Sequence, residues 1–280
     1  MDYSPLIRKY GILKKTDRHT PGPWPPNKEK TVMKHLLEIC VDSLESALAA
    51  QEGGADRLEL CGHLLIGGTT PSLGLVRQVL RQVQIPVNVL IRPRFGDFCF
   101  TPSEKETTLW EIEQCRALGA GGVVLGALLP DGSLDTDFLA RCIAASGGGR
   151  HTLHRAFDVC RDPFEALEQA VELGFDTILT SGQQARAEQG IDLLARLIEQ
   201  AAGRIAILAG SGVGPDNLAR LADAGVRQFH FSAKRSVPGP MEFRREGVPM
   251  GLPVADEYRR QYTDPDLVRR AKQVLNSLPD

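Results

Sequence analysis

No run in the 280-residue sequence approaches the roughly 18 apolar residues of a membrane span, and its N-terminus carries no apolar stretch of the secretory kind. These absences predict a soluble, intracellular protein. Six cysteines are too few for a disulfide scaffold, and no two are spaced CxxC, so reduced thiols are expected. Neither sign of charge dominates: 33 Lys+Arg stand against 35 Asp+Glu, without the basic excess that nucleic acid or an anionic membrane would demand of a partner. HExxH, Walker, GxGxxG and GxSxG signatures are missing too, which argues against zinc protease, NTPase, dehydrogenase and serine acyl-transfer chemistry.

What is present begins with an asymmetry. Residues 1–32 hold seven Lys/Arg against three Asp/Glu, a basic head on an acidic remainder. Within it, Thr20-Pro-Gly-Pro-Trp-Pro-Pro26 fixes φ repeatedly and removes backbone donors, so neither a helix nor a central strand is expected there. Residues 1–32 are read as an irregular basic extension and residues 33–280 as one domain.

From Leu36 onward a single unit recurs, a short aliphatic run followed by an amphipathic helix with a polar cap before it and glycine after it. Strands are predicted over 36–41, 57–61, 87–91, 123–128, 152–157, 177–180, 205–209 and 228–232. Helices are predicted over 43–52, 73–83, 103–118, from 135 or 137 to 145, and over 164–173, 191–202, 216–224 and 266–278. Ser103 with Glu106 reads as a capping box, and Asp162-Pro163 as a cap followed by an N1 proline. Eight strands alternating with eight helices through short connections imply parallel pairing by right-handed crossovers, and eight is the number at which such a sheet closes. The expected fold is a closed (β/α)8 TIM-type barrel. An open doubly wound sheet is the alternative, but it favours a Gly-rich turn after the first strand, where Val41-Asp42-Ser43 stands instead.

Active sites of such barrels lie at the C-terminal strand ends, and here those ends are polar. Side chains alternate along a strand, so Glu38 and Cys40 share one face, as do Arg57, Glu59 and Cys61, leaving the leucines and Ile39 to face the helices. Arg92 and Arg94 end the third strand, His154 the fifth and Ser181 the sixth. Buried Glu38 and Glu59 need cations, and Arg57, Arg92 and His154 are available. Either this is an ionic layer satisfied within itself, or it is a functional pocket. Ala209-Gly210-Ser211-Gly212-Val213 after the seventh strand and Ser232 after the eighth lie where barrels often bind phosphate, although a plain tight turn would look the same. Arg92, Arg94, Ser181, Gly210, Ser211, Gly212 and Ser232 are thus the candidate anion site, with Glu38, Glu59 and His154 as candidate general acids or bases. That cast fits an isomerase or lyase acting on a small phosphorylated or carboxylated metabolite.

Several of these segments together resemble one family. Leu37-Glu-Ile-Cys40, Gly54-Ala-Asp-Arg-Leu-Glu-Leu-Cys61, Gly67-Gly-Thr-Thr-Pro-Ser-Leu-Gly74, Ile91-Arg-Pro-Arg94 with Gly96-Asp-Phe98, His154-Arg-Ala-Phe-Asp158 and Leu179-Thr-Ser-Gly182 are similar to the copper homeostasis protein CutC family. The resemblance runs from residue 33 to about 262, and Phe95 departs from it where glycine is frequent. It implies a TIM-type barrel, a cytoplasmic setting and copper handling through Cu(I), with Cys40 and Cys61 matching the proposed ligands. Independently, Cu(I) is soft and prefers thiolates, and the two cysteines are expected at equivalent heights on adjacent strands about 5 Å apart. Against this, buried cysteine often serves as a small hydrophobe. Cys115 and Cys142 fall within helices, and Cys99 and Cys160 have at most accessory claims. The expected partner is a copper ion or a small anionic metabolite, and a homo-oligomer is compatible with the sequence.

Overall fold

β1 (Leu36–Val41) sets the pattern of the barrel: all six residues are buried, with Leu37, Ile39 and Val41 against the helices and Glu38 and Cys40 turned to the axis. The computed structural model describes residues 35–248, 250–252 and 255–279, so the extension expected over 1–32 lies outside the described residues. After β1 come α1 (Leu44–Gly53), β2 (Arg57–Leu60), α2 (Leu73–Gln82), β3 (Val87–Leu90), α3 (Pro102–Ala117), β4 (Gly122–Leu125) and α4 (Thr136–Ser146). The second half comprises β5 (Arg150–Leu153), α5 (Pro163–Leu173), β6 (Thr177–Thr180), α6 (Ile191–Ala201), β7 (Ala206–Ala209), α7 (Leu218–Asp223) and β8 (Gln228–Phe231). Every neighbouring pair is parallel and β8 returns to β1, closing an eight-stranded (β/α)8 barrel. No helix among the described residues is long and apolar enough to cross a membrane.

The chain ends on a ribbon and a helix that seal the first unit. β9 (Lys234–Pro238) and β10 (Arg259–Thr263) pair antiparallel, and α8 (Pro265–Ser277) then lies on α1. A Cβ on Gly53 would stand 2.5 Å from Val268 Cβ, so only glycine permits this approach of the two helices. The Thr263 N–H donates to the buried Ser46 hydroxyl of α1 at 3.2 Å.

Three local readings are corrected. The α3 capping box is Thr101 with Glu104, not Ser103 with Glu106, because Pro102 occupies the first helical turn and starts the helix early. β5 stops at Leu153; the His154 Nδ1 accepts from the Ala156 N–H at 3.2 Å, and Arg155–Val159 coils into a 3-10 turn instead of extending the strand. The β9–β10 ribbon was not expected, since its strands are exposed and charged and carry no apolar alternation.

The barrel axis is more polar than the branched aliphatic filling usual for this fold. Its inward positions include Glu38, Arg57, Asn88, Thr152, Thr177 and His230, all buried. Glu38 and Arg57, 1% and 2% exposed, form an ion pair across β1 and β2, and Glu38 also accepts from His230 Nδ1 at 2.8 Å. Breaking a buried pair leaves an uncompensated charge, so Arg57→Met should cost about 3–5 kcal/mol in urea unfolding, and Glu38→Leu with Arg57→Met less than the sum of the singles. A loss below about 1 kcal/mol for either single variant would show the pair to be energetically peripheral.

Burial alone would raise the Glu38 carboxyl, but Arg57 and His230 outweigh it and hold the group at about 2. A folded pKa below the unfolded one stabilises the native state above the unfolded value, and the stabilisation is lost as pH falls through the folded pKa. The stability difference between the native protein and Glu38→Gln should therefore shrink by about 3 kcal/mol from about pH 5 to about pH 2. Urea titrations along that range check it, and a pH-independent difference would contradict it.

Candidate metal and anion site at the barrel mouth

A closed barrel requires its strands to be staggered, and the stagger decides which side chains meet. Glu38 stands opposite Arg57 and Cys40 opposite Glu59, so the Leu-Glu-x-Cys motifs of β1 and β2 are offset by two residues. The equal heights expected of Cys40 and Cys61 do not hold: Cys61 lies one inward layer above Cys40. The two still share one inner cluster with Leu90 and Val124. The side chain that joins Cys40 instead comes from β8, where Glu38 pairs in register with His230.

One ligand atom each from Cys40, Glu59 and His230 lies within 4.8 Å of the others, and all three residues are buried. His230 bridges two carboxylates, with Nδ1 2.8 Å from Glu38 Oε1 and Nε2 3.6 Å from Glu59 Oε2. Burial pulls the imidazole down, but Cys40, Glu38 and Glu59 together hold it well above its ordinary range. Burial raises the Glu59 carboxyl, helped by Glu38 and opposed by His230. Cys61 Sγ donates to Glu59 Oε2 at 3.4 Å; burial, Glu59 and Cys40 push its thiol far up.

Across the same mouth stands a different pair. Arg92 follows β3 and is 9% exposed; its Nη1 donates to Gly68 O at 3.1 Å and its Nη2 to Gly96 O at 2.7 Å. Its Nε has no partner, and no carboxylate pairs with it among the described residues. His154, 4% exposed, accepts at Nδ1 from the Ala156 N–H, which puts its proton on Nε2, and that atom is also buried without a partner. Burial and the nearby Arg92 guanidinium lower the imidazole to about 3, so it is a neutral donor at ordinary pH. Phe98 packs against both, 4.8 Å from the Arg92 guanidinium carbon and 4.9 Å from the His154 ring centre. A cavity of about 620 Å³ connects the two halves, with Cys40, Glu59 and His230 on one side and Arg92, Phe98 and His154 on the other.

The remaining expected site residues divide by what holds them. Ser211, Gly212 and Ser232 line this cavity. Ser211 and Gly212 take φ of +72° and +67°, and the Ser211 hydroxyl donates to Ala185 O at 2.8 Å, so the strained turn is tied to the β6–α6 loop. Arg94 is turned away and bound to Asp97 and Glu104. Ser181 belongs to a network around Asp158: its backbone N–H donates to Asp158 Oδ1 at 2.9 Å, and its hydroxyl donates to Gln184 O at 2.5 Å. Gly210 packs behind Leu179. Glu38 lies beneath the cavity with both carboxylate oxygens engaged, so it has no free atom for acid–base work. Cys115 and Cys142 are buried in α3 and α4, and desolvation raises each thiol to about 12, as suits small hydrophobes. The sequence reading missed His230 and Phe98. Alternation along Gln228–Phe231 was the available signal for His230, because it shares the inward face with Gln228.

Residues 35–235 match the model of the CutC family. A CutC family protein of Bacteroides fragilis is 49% identical over 249 residues, covering 87% of this chain and 97% of that protein. The human copper homeostasis protein cutC homolog is 42% identical over 256 residues, covering 91% and 94%. Among solved structures, the copper homeostasis protein CutC of Streptococcus agalactiae superposes with a TM-score of 0.68 at 32% identity, covering 71% of this chain and 98% of its own. With the family model matched over most of the barrel and relatives aligned along nearly their whole length, the chain belongs to the CutC family.

Proposed function

We propose that this protein serves copper homeostasis by binding Cu(I) as cargo at the barrel mouth, through the Cys40 thiolate and the His230 imidazole, with Cys61 completing the set. The observation that carries the reading is the convergence of Cys40, His230 and Glu59 within 4.8 Å at the strand ends. The donor chemistry fits in part: thiolate and imidazole suit soft Cu(I), whereas a carboxylate is a hard donor. Glu59 is therefore given a different task. It already accepts the Cys61 S–H, and its raised carboxyl is the group that receives that proton when the thiol is required as a thiolate. Glu38 engages His230 Nδ1 and leaves Nε2 on the Glu59 side, the carboxylate–imidazole arrangement that orients metal-binding histidines; the proton that the raised imidazole carries on Nε2 would be displaced to solvent when copper takes that nitrogen. The copper homeostasis name carried by the human relative agrees with this reading.

Competition against a Cu(I) chelator under reducing conditions tests it. Cys40→Ser should weaken binding by about tenfold or more, Cys61→Ser by a smaller factor, and Cys142→Ser, whose thiol is buried in α4, not at all. Equal affinity for all four proteins would mean that thiols anywhere on the chain suffice, and would end the assignment.

A further inference from the structure

One buried cation of the mouth has no ion-pair partner among the described residues. Glu38 is balanced by Arg57 and His230, Glu59 faces His230, Asp158 is paired with Arg155, and Asp97 and Glu104 are paired with Arg94. Arg92 is left over. It is a guanidinium, nine-tenths buried, held by two carbonyls that orient it without neutralising it. A buried cation without a counter-charge is costly, and so is a buried N–H without an acceptor. The Arg92 Nε and the His154 Nε2 both have that defect, and both belong to residues lining the one cavity. Of the residues with a buried polar atom left without a partner, Arg92 and His154 are the two that line this cavity, where a bound oxyanion can reach them.

We propose that the Arg92–His154 half of the mouth binds the oxyanion of a small metabolite, a carboxylate or a phosphate, against the face of Phe98. Arg92 supplies the charge and its Nε–H; His154 supplies a neutral Nε2–H donor that stays uncharged across the physiological range and so adds direction without a second charge. The cavity, about 620 Å³ in all, has room for the rest of a metabolite-sized molecule and extends to the Cys40–Glu59–His230 side. The turn at residues 211–213 lies over the same cavity, where a barrel places backbone donors for a phosphate. This site shares no residue with the copper ligands and stands whether or not copper binds.

The test is isothermal titration of copper-free protein with inorganic phosphate and, separately, with malonate, at matched ionic strength set by sodium chloride. The expected result is saturable one-to-one binding of at least one probe, and the probe that binds identifies the oxyanion class. Arg92→Lys keeps the charge but loses the Nε–H; His154→Asn keeps the acceptor for Ala156 N–H but loses the Nε2–H. Binding weakened by about tenfold or more in either variant, each shown to be folded by circular dichroism, supports the site. Should Arg92→Lys fail to fold, His154→Asn alone decides. Absence of saturable binding of both probes to the native protein, or undiminished binding in every folded variant, overturns the proposal.

Discussion

A carboxylate buried at the axis of the barrel, Glu38, governs the chemistry of the mouth above it. It cannot stay ionised in the interior without cations, and it takes two, Arg57 from β2 and His230 from β8. Those two contacts reach in opposite directions around the barrel, so one side chain ties the first strand to both of its neighbours. They also fix His230 in place, with one ring nitrogen engaged and the other turned to Glu59. Cys40, two residues along the same strand, is delivered beside that imidazole by the pleat alone.

The two halves of the cavity then differ in kind. On the Cys40 side the polar groups answer one another: His230 faces Glu38 and Glu59, and the Cys61 thiol donates to Glu59. Opposite, Arg92 and His154 carry donors that the protein leaves unanswered. Phe98 and the turn at 211–213 keep this half partly enclosed, which strengthens any charge–charge contact made inside it. In the reading proposed above, the soft-metal site and the oxyanion site face one another across a single cavity, two distinct chemistries within one set of strand ends.

Much of this was legible in the sequence because it is periodic. Eight repeats of strand, helix and punctuation specify a closed barrel, and alternation along Leu37-Glu-Ile-Cys40 and Arg57–Leu60 places the charged residues on the axis. What depends on closure was not legible. The two-residue stagger between β1 and β2 substitutes Glu59 for Cys61 as the neighbour of Cys40, and no local pattern announces it. Partner choice was equally hidden: Arg94 and Ser181 look available at strand ends, yet Asp97, Glu104 and Asp158 engage them through loops whose geometry the sequence does not display. His230 was within reach, since the same alternation that exposes Glu38 applies to β8.

The central claim is that His230 and Cys40 act as one metal-binding unit. The X-ray absorption spectrum of the protein loaded with one equivalent of Cu(I) tests it most directly. The account predicts sulfur scatterers accompanied by the outer-shell multiple scattering of a single imidazole, with the imidazole signal lost in His230→Gln. A sulfur-only shell, or an imidazole signal unchanged in that variant, would contradict it.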